Sequence, residues 1–216
     1  MIKIKVFITL TLCCFTFAGC ENTVSSQNEN IETSEKTQEE QDDNTKLAGD
    51  SIDFDSIFDD FISGNVPATK KDSNSDFYIT ELNYNSDDWD SYRLGEKIDL
   101  DNDGELELIL DGPYGGMYFD VMDGKVYVLA EGDGTGAVLS YVYYSDAYWI
   151  VKSDTTHSGR VMYSFIKYSG GEEKTDSFEL SAEYEGQDKY DENSKFIYRG
   201  EEISMEQYEQ IYAEIF

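Results

Sequence analysis

The sequence predicts a mainly β (α+β) fold: an antiparallel β-meander of about eight strands with one N-terminal and one C-terminal helix. Three observations carry this. Between Asp76 and Tyr184, β-branched and aromatic residues alternate with polar ones at a period of two. Turn-forming pairs break the alternation at intervals of about ten to fourteen residues. On either side of this region the apolar spacing changes to that of a helix.

The N-terminal helix comes from Ser51–Asn65, where Phe54, Ile57, Phe58, Phe61 and Ile62 form one stripe. Asp53 is placed to cap it, Ile52 to staple onto Ile57, and Gly64 to end it ahead of Pro67. Strands are expected at 76–82, around Val121, and at 125–130, 138–144, 148–152, 160–168 and 177–184. Asp123-Gly124 is a two-residue hairpin signal, and Ser145-Asp146, His157-Ser158-Gly159 and Gly170-Gly171 mark later turns. The C-terminal helix follows Ser204, whose partner in a capping box is Gln207. Met205, Tyr208, Ile211, Tyr212 and Ile215 line one face of it. A sheet of this kind has to cover one face, and the two helices are candidates for part of that cover.

The composition narrows the function. The chain has 216 residues, with 46 Asp and Glu against 16 Lys and Arg, and a net charge of −30. So acidic a chain repels phosphate backbones, which argues against nucleic acid as a partner. One His and few Cys do not make a zinc site. Residues 51–216 form the expected single folded domain. They hold all 17 Tyr, and 37 acids against 12 bases.

Residues 1–20 read MIKIKVFITLTLCCFTFAGC. Lys3 and Lys5 precede an apolar run, Val6–Phe17, too short to span a bilayer comfortably. Ala18-Gly19-Cys20 closes it. This segment resembles a bacterial lipoprotein signal with its lipobox, although Phe17 stands where Leu is usual. The resemblance implies removal of residues 1–19 and a lipid on the sulfur of Cys20, holding the chain at the extracytoplasmic face of the cell membrane. An ordinary secretory leader followed by an incidental Cys is the alternative. Cys13 and Cys14 would leave with the leader, so Cys20 would have no disulfide partner, and lipidation explains it. Residues 20–50 are expected to be a disordered acidic tether. Beyond Cys20 they contain no aromatic residue and only Val24, Ile31, Leu47 and Ala48 as apolar members. Stretched out they reach about 100 Å.

One motif carries chemistry. Asp99, Asp101 and Asp103 alternate, Gly104 follows, and Glu107 comes four residues after the last Asp. Calcium takes six to eight oxygen ligands, and carboxylates spaced in this way can converge on one point. Gly104 permits the turn that brings the backbone carbonyl of Glu105 round as another ligand. Leu110 stands where an EF-hand needs its bidentate Glu, and Leu106, Leu108 and Leu110 alternate as in a strand. The loop looks like the Asp-x-Asp-x-Asp-Gly-x-x-Glu-Leu loop of integrin-type propeller repeats, which implies a calcium ion in a strand–loop–strand setting. With a single copy it does not imply a propeller. The chain as a whole resembles small lipoproteins of Gram-positive bacteria that carry such a loop.

Other candidates are weaker. His157 lies in a polar turn and is read as a solvated residue. Gly132–Gly136 lacks the Lys and Ser/Thr of a phosphate loop and is read as a hairpin connection. Tyr141 and Tyr143 share a face, read as cross-strand pairing rather than a ligand platform. The leading expectation is a non-enzymatic binding domain, stabilised by one calcium ion, that meets an extracellular protein, peptide or glycan. A cell-wall or carbohydrate hydrolase using a carboxylate pair is one alternative. An inhibitor or self-protection lipoprotein directed against a cationic partner is another.

Overall fold

The computed structural model describes residues 53–216 apart from 172 and 187. The expected leader, Cys20 and the tether lie outside the described residues, as does Ile52. Among the described residues, twelve strands form two six-stranded sheets, and two α-helices flank them. Among the described residues no helix is long and apolar enough to cross a membrane.

Helix α1 spans Phe54–Ile62 and is capped by Asp53, whose Oδ1 accepts from the Ser56 N–H at 3.3 Å. Its stripe buries Phe58 and Phe61. The first sheet follows: β1 (Ala68–Lys70), β2 (Ser75–Phe77), β3 (Arg93–Ile98), β4 (Glu107–Asp111), β5 (Met117–Met122) and β6 (Lys125–Glu131). Their spatial order is β2-β1-β6-β5-β4-β3, antiparallel throughout except that β1 runs parallel to β6. The second sheet contains β7 (Val138–Tyr144), β8 (Ala147–Asp154), β9 (Arg160–Ser169), β10 (Glu173–Glu183), β11 (Lys195–Tyr198) and β12 (Glu201–Ile203). These six are neighbours in sequence order and all antiparallel, a pure meander. Helix α2 (Met205–Ile215) ends the chain. Its capping box has the expected partners, Ser204 and Gln207.

The mainly β architecture with a helix at either end is as expected. The single meander of about eight strands is two sheets of six. The added strands are short or lack alternation. β1 and β12 have three residues each, β11 has four, and β3 reads Arg-Leu-Gly-Glu-Lys-Ile. The strand expected at 76–82 stops at Phe77. There the Tyr78 N–H donates to Glu81 Oε1 at 2.8 Å and a 3-10 turn, Ile79–Glu81, begins.

The layers stack as helix, sheet, sheet, helix. One face of the first sheet packs Leu108, Leu110, Phe119 and Val126 against Phe58 and Phe61 of α1. One face of the second packs Trp149, Phe165 and Leu180 against Tyr208 and Ile215 of α2. The two remaining faces meet through Ile109, Tyr118 and Leu129 on one side and Leu139 and Ile150 on the other. Period-two alternation makes this possible, since each central strand supplies both of its faces. The tyrosines follow the same rule. Tyr143 and Tyr148 are a registered cross-strand pair with ring centroids 5.1 Å apart. Tyr141 stacks edge-on against Tyr118 of the opposite sheet at 5.9 Å, and Trp149 is buried on the α2 side.

The Asp123-Gly124 and Ser145-Asp146 turns have positive φ at both residues, which matches the twist of the strands they join. The Gly112–Gly116 turn lies so close to β7 that a Cβ on Gly115 would sit 1.9 Å from the Leu139 carbonyl oxygen.

Phe119 is wholly buried, with its ring 4.9 Å from Phe61 and 6.3 Å from Phe77. Phe119→Ala should lower stability by about 3–5 kcal/mol in urea unfolding. An unchanged midpoint would show that α1 does not depend on this contact.

Candidate metal centre

The loop between β3 and β4 is shaped by its own side chains. Asp99 Oδ1 accepts from the Asp103 N–H at 3.0 Å, and Asp99 Oδ2 from Gly104 at 3.2 Å. Asp101 Oδ1 accepts from the Asp103 N–H at 3.2 Å, and Asp103 Oδ1 from Glu105 at 2.8 Å. Short carboxylates that capture nearby backbone N–H groups make the chain turn repeatedly. Asn102 and Gly104 adopt positive φ, of 63° and 96°, to complete the curl. Glu107 returns at the start of β4, where its Oε2 accepts from the N–H groups of Leu100 and of Asp101, the latter at 3.1 Å.

Of the residues singled out in the sequence, Asp99, Asp101 and Glu107 come together. Each offers one oxygen within 4.8 Å of the other two. Asp101 is 0 % exposed and Glu107 1 %. Asp103 and Glu105 are exposed and stand outside this trio. Leu110, at the position where an EF-hand needs its glutamate, is fully buried in the α1-side core.

Three further residues belong to the centre. Asp120 is on β5, next to β4. The β4–β5 register pairs Leu108 with Phe119, so one step further sets Asp120 beside Glu107. Asp120 is 5 % exposed, and its Oδ2 has no hydrogen-bond partner. Gly171, between β9 and β10, donates its N–H to Asp101 Oδ2. Gly171 has φ +73°, and a Cβ there would lie 2.5 Å from Asp120 Oδ2, so it fits between two carboxylates only because it lacks a side chain. Asn102 ties the loop to the other sheet. Its amide donates to the carbonyls of Tyr148 (3.1 Å) and Tyr168 (3.2 Å), and its Oδ1 accepts from the Tyr148 N–H at 2.8 Å. The centre therefore sits where the two sheets join.

The electrostatics are adverse without a cation. Burial above all, then the charge of Asp101, pushes Glu107 up to about 9. Burial, then the charge of Asp103, pushes Asp101 up to about 6. Burial raises Asp120 too, although Lys71 pulls it back down. Two unit charges about 4 Å apart repel by about 4 kcal/mol at an effective dielectric of 20. Backbone hydrogen bonds pull the pKa values of both Asp101 and Glu107 down, but burial and the neighbouring charges outweigh them. The donor set is all carboxylate oxygen, which suits a hard cation such as calcium and not a thiophilic metal. Asp99, Asp101 and Glu107 would hold the ion, and the orphaned oxygen of Asp120 stands on the strand beside Glu107. The ion would supply compensation for charges that the fold has taken out of water.

His157 is exposed, as expected from sequence, but one face of its ring is engaged. Its Nδ1 lies 2.6 Å from Oδ1 of Asp154, a fully buried carboxylate. Arg160 Nε donates to Asp154 Oδ2 at 2.6 Å. Burial works to raise the Asp154 pKa, but the hydrogen bonds from His157 and Arg160 outweigh it and hold the group below its ordinary value. This constellation closes the β8–β9 turn.

The raised pKa values set the sign of a pH dependence. Asp101 and Glu107 bind protons more tightly folded than at their reference values of 3.8 and 4.5. In metal-free protein their contribution to stability is most favourable in acid. It falls as pH rises, up to about 6 for Asp101 and about 9 for Glu107. Asp154 has the opposite sign, but its stabilisation is lost only below the ordinary carboxylate range, outside this window. Metal-free protein should therefore lose stability between about pH 5 and pH 8, and Glu107→Gln should lose markedly less. Equal slopes in urea titrations of the two proteins would rule out the buried Asp101–Glu107 pair as the origin.

Compared with models of protein families, with curated proteins and with solved structures, this chain shows no match. Its chemistry has to be read from its own side chains.

Proposed function

We propose that this chain is an extracytoplasmic lipoprotein whose β domain is a non-enzymatic binding module stabilised by one calcium ion. A lipid on Cys20 ties it to the outer face of the cell membrane, and residues 21–50 hold the domain away from that surface. The observation that carries the calcium reading is the convergence of the buried carboxylates of Asp101 and Glu107 with that of half-buried Asp99, beside a strand that carries the unpartnered oxygen of Asp120. Three buried acids, Asp101, Glu107 and Asp120, with Asp99 beside two of them, are a costly arrangement that a divalent cation reverses. The lipid reading rests on the order of charge, apolar run, small residues and Cys in residues 1–20.

The same burial weighs against a hydrolase built on this carboxylate cluster. A general acid and a nucleophile have to touch the scissile bond. Asp101 and Glu107, with almost no accessible surface, are closed to a glycan. Their raised pKa values reflect desolvation in a structural nest rather than preparation for acid–base chemistry.

Calcium at about one hundred times its dissociation constant would add about 2.7 kcal/mol of stability. For a domain of this size that corresponds to a rise in Tm of about 5–10 °C over chelated protein. Asp101→Ala should abolish the difference. The absence of any calcium-dependent shift in differential scanning calorimetry would refute the site.

Cys20→Ala should accumulate a precursor longer than the wild-type product and free of fatty acid. Incorporation of labelled palmitate into that variant would refute the anchor.

A further inference from the structure

Residues 51–216 contain 12 Lys and Arg against 37 Asp and Glu. Four of those twelve line one cleft of about 510 Å³: Lys70, Lys71, Lys152 and Lys174. Only two acids share its walls, Asp72 and Glu131. In a domain with acids in threefold excess, the local balance in this cleft is reversed. Nothing in the spacing of the four lysines along the chain announces this. Lys70 ends β1 and Lys71 follows it on the first sheet, whereas Lys152 and Lys174 come from β8 and β10 of the second.

The lysines are not all committed to neighbouring carboxylates. Lys70 Nζ contacts Glu131 Oε2 at 2.5 Å, and Lys71 Nζ leans on the Gly171 carbonyl at 3.5 Å. Lys152 and Lys174 enter no ion pair among the described residues. Lys152 and Lys174 face the shared concavity with no such pair to offset their mutual repulsion. An anion in the cleft offsets it.

The geometry points to a binding site for a small, soluble phosphate ester held between the two sheets by Lys70, Lys71, Lys152 and Lys174. An ammonium is a compact charge with three donors, and several of them around one tetrahedral dianion satisfy its oxygens without the planar fork of arginine. The rest of the wall, Leu129 and Ala130 of β6 and Tyr168 of β9, offers apolar and aromatic contact to an organic body. The volume is that of a small-molecule site. The surrounding charge decides between a small ligand and a long polyanion. A polymer would continue out of the cleft over acidic surface and be repelled there. A ligand confined within about one Debye length, roughly 8 Å at physiological salt, is governed by the four lysines.

The test is calorimetric titration of the full chain in calcium buffer with glycerol 2-phosphate at constant ionic strength. Chloride serves as the control anion. Saturable binding at one site is expected, with no saturation by chloride. Lys152→Gln/Lys174→Gln should weaken it by about tenfold or more. Lys152→Arg should keep most of the affinity, and a Lys189→Gln/Lys195→Gln control that removes the same charge elsewhere should bind within about twofold of wild type. Unchanged melting temperatures would show that the variants are folded. No saturation by the phosphate ester, equal response to chloride, or equal losses in the two double variants would overturn the proposal.

Discussion

Asp101 holds the two sheets in one arrangement. Its carboxylate is wholly buried. One oxygen turns its own loop by accepting from Asp103, and the other accepts the N–H of Gly171 at the far sheet's β9–β10 turn. Asn102 repeats the link beside it through the backbone of Tyr148 and Tyr168. These polar bonds span a junction that is otherwise apolar, where Ile109, Tyr118 and Leu129 meet Leu139 and Ile150. Apolar packing is non-directional and tolerates sliding, whereas the Asn102 amide has two donors and one acceptor fixed on three backbone atoms. The hydrophobic contact supplies most of the cohesion at the junction, and the loop specifies its register.

That specification brings an electrostatic burden. Setting Asp101 against Gly171 draws Asp120 and Glu107 into the same desolvated space, and all three carboxyls respond with raised pKa values. A proton or a cation relieves the conflict, and at neutral pH the cation is the effective one of the two for Asp101. Charge is sorted by location across the molecule: acids are concentrated at the sheet junction and over the surface, while a third of the folded part's bases gather in one cleft.

Much of this was legible in the residues. The helix caps at Asp53 and Ser204 and the hairpin turns at Asp123-Gly124 and Ser145-Asp146 are local signals, and local geometry satisfies them. Asp99, Asp101 and Glu107 were readable for the same reason, since one tight loop brings them together. The division into two sheets was not, because alternation reports which face a residue takes and not which sheet its strand joins. Asp120 and Gly171 reach the centre through register and through sheet packing, both non-local. A signal for Asp120 does exist: a single acid inside the apolar run Tyr118-Phe119-Asp120-Val121, on a strand buried on both faces. Asn102 was hidden by its place between two motif carboxylates, where it reads as a spacer.

The parallel pairing of β1 with β6 has a consequence for how the chain folds. Sheet two is assembled entirely from neighbouring hairpins, so each strand meets its partner as soon as the next one is made. Ala68 instead waits for Val126, and α1, packed on that same sheet, waits with it. The long loop closure places the N-terminal helix and its hairpin among the last parts to condense. Until then the aromatic stripe of Phe54, Phe58 and Phe61 remains uncovered, which makes the opening segment of the domain the natural handle for a chaperone during assembly.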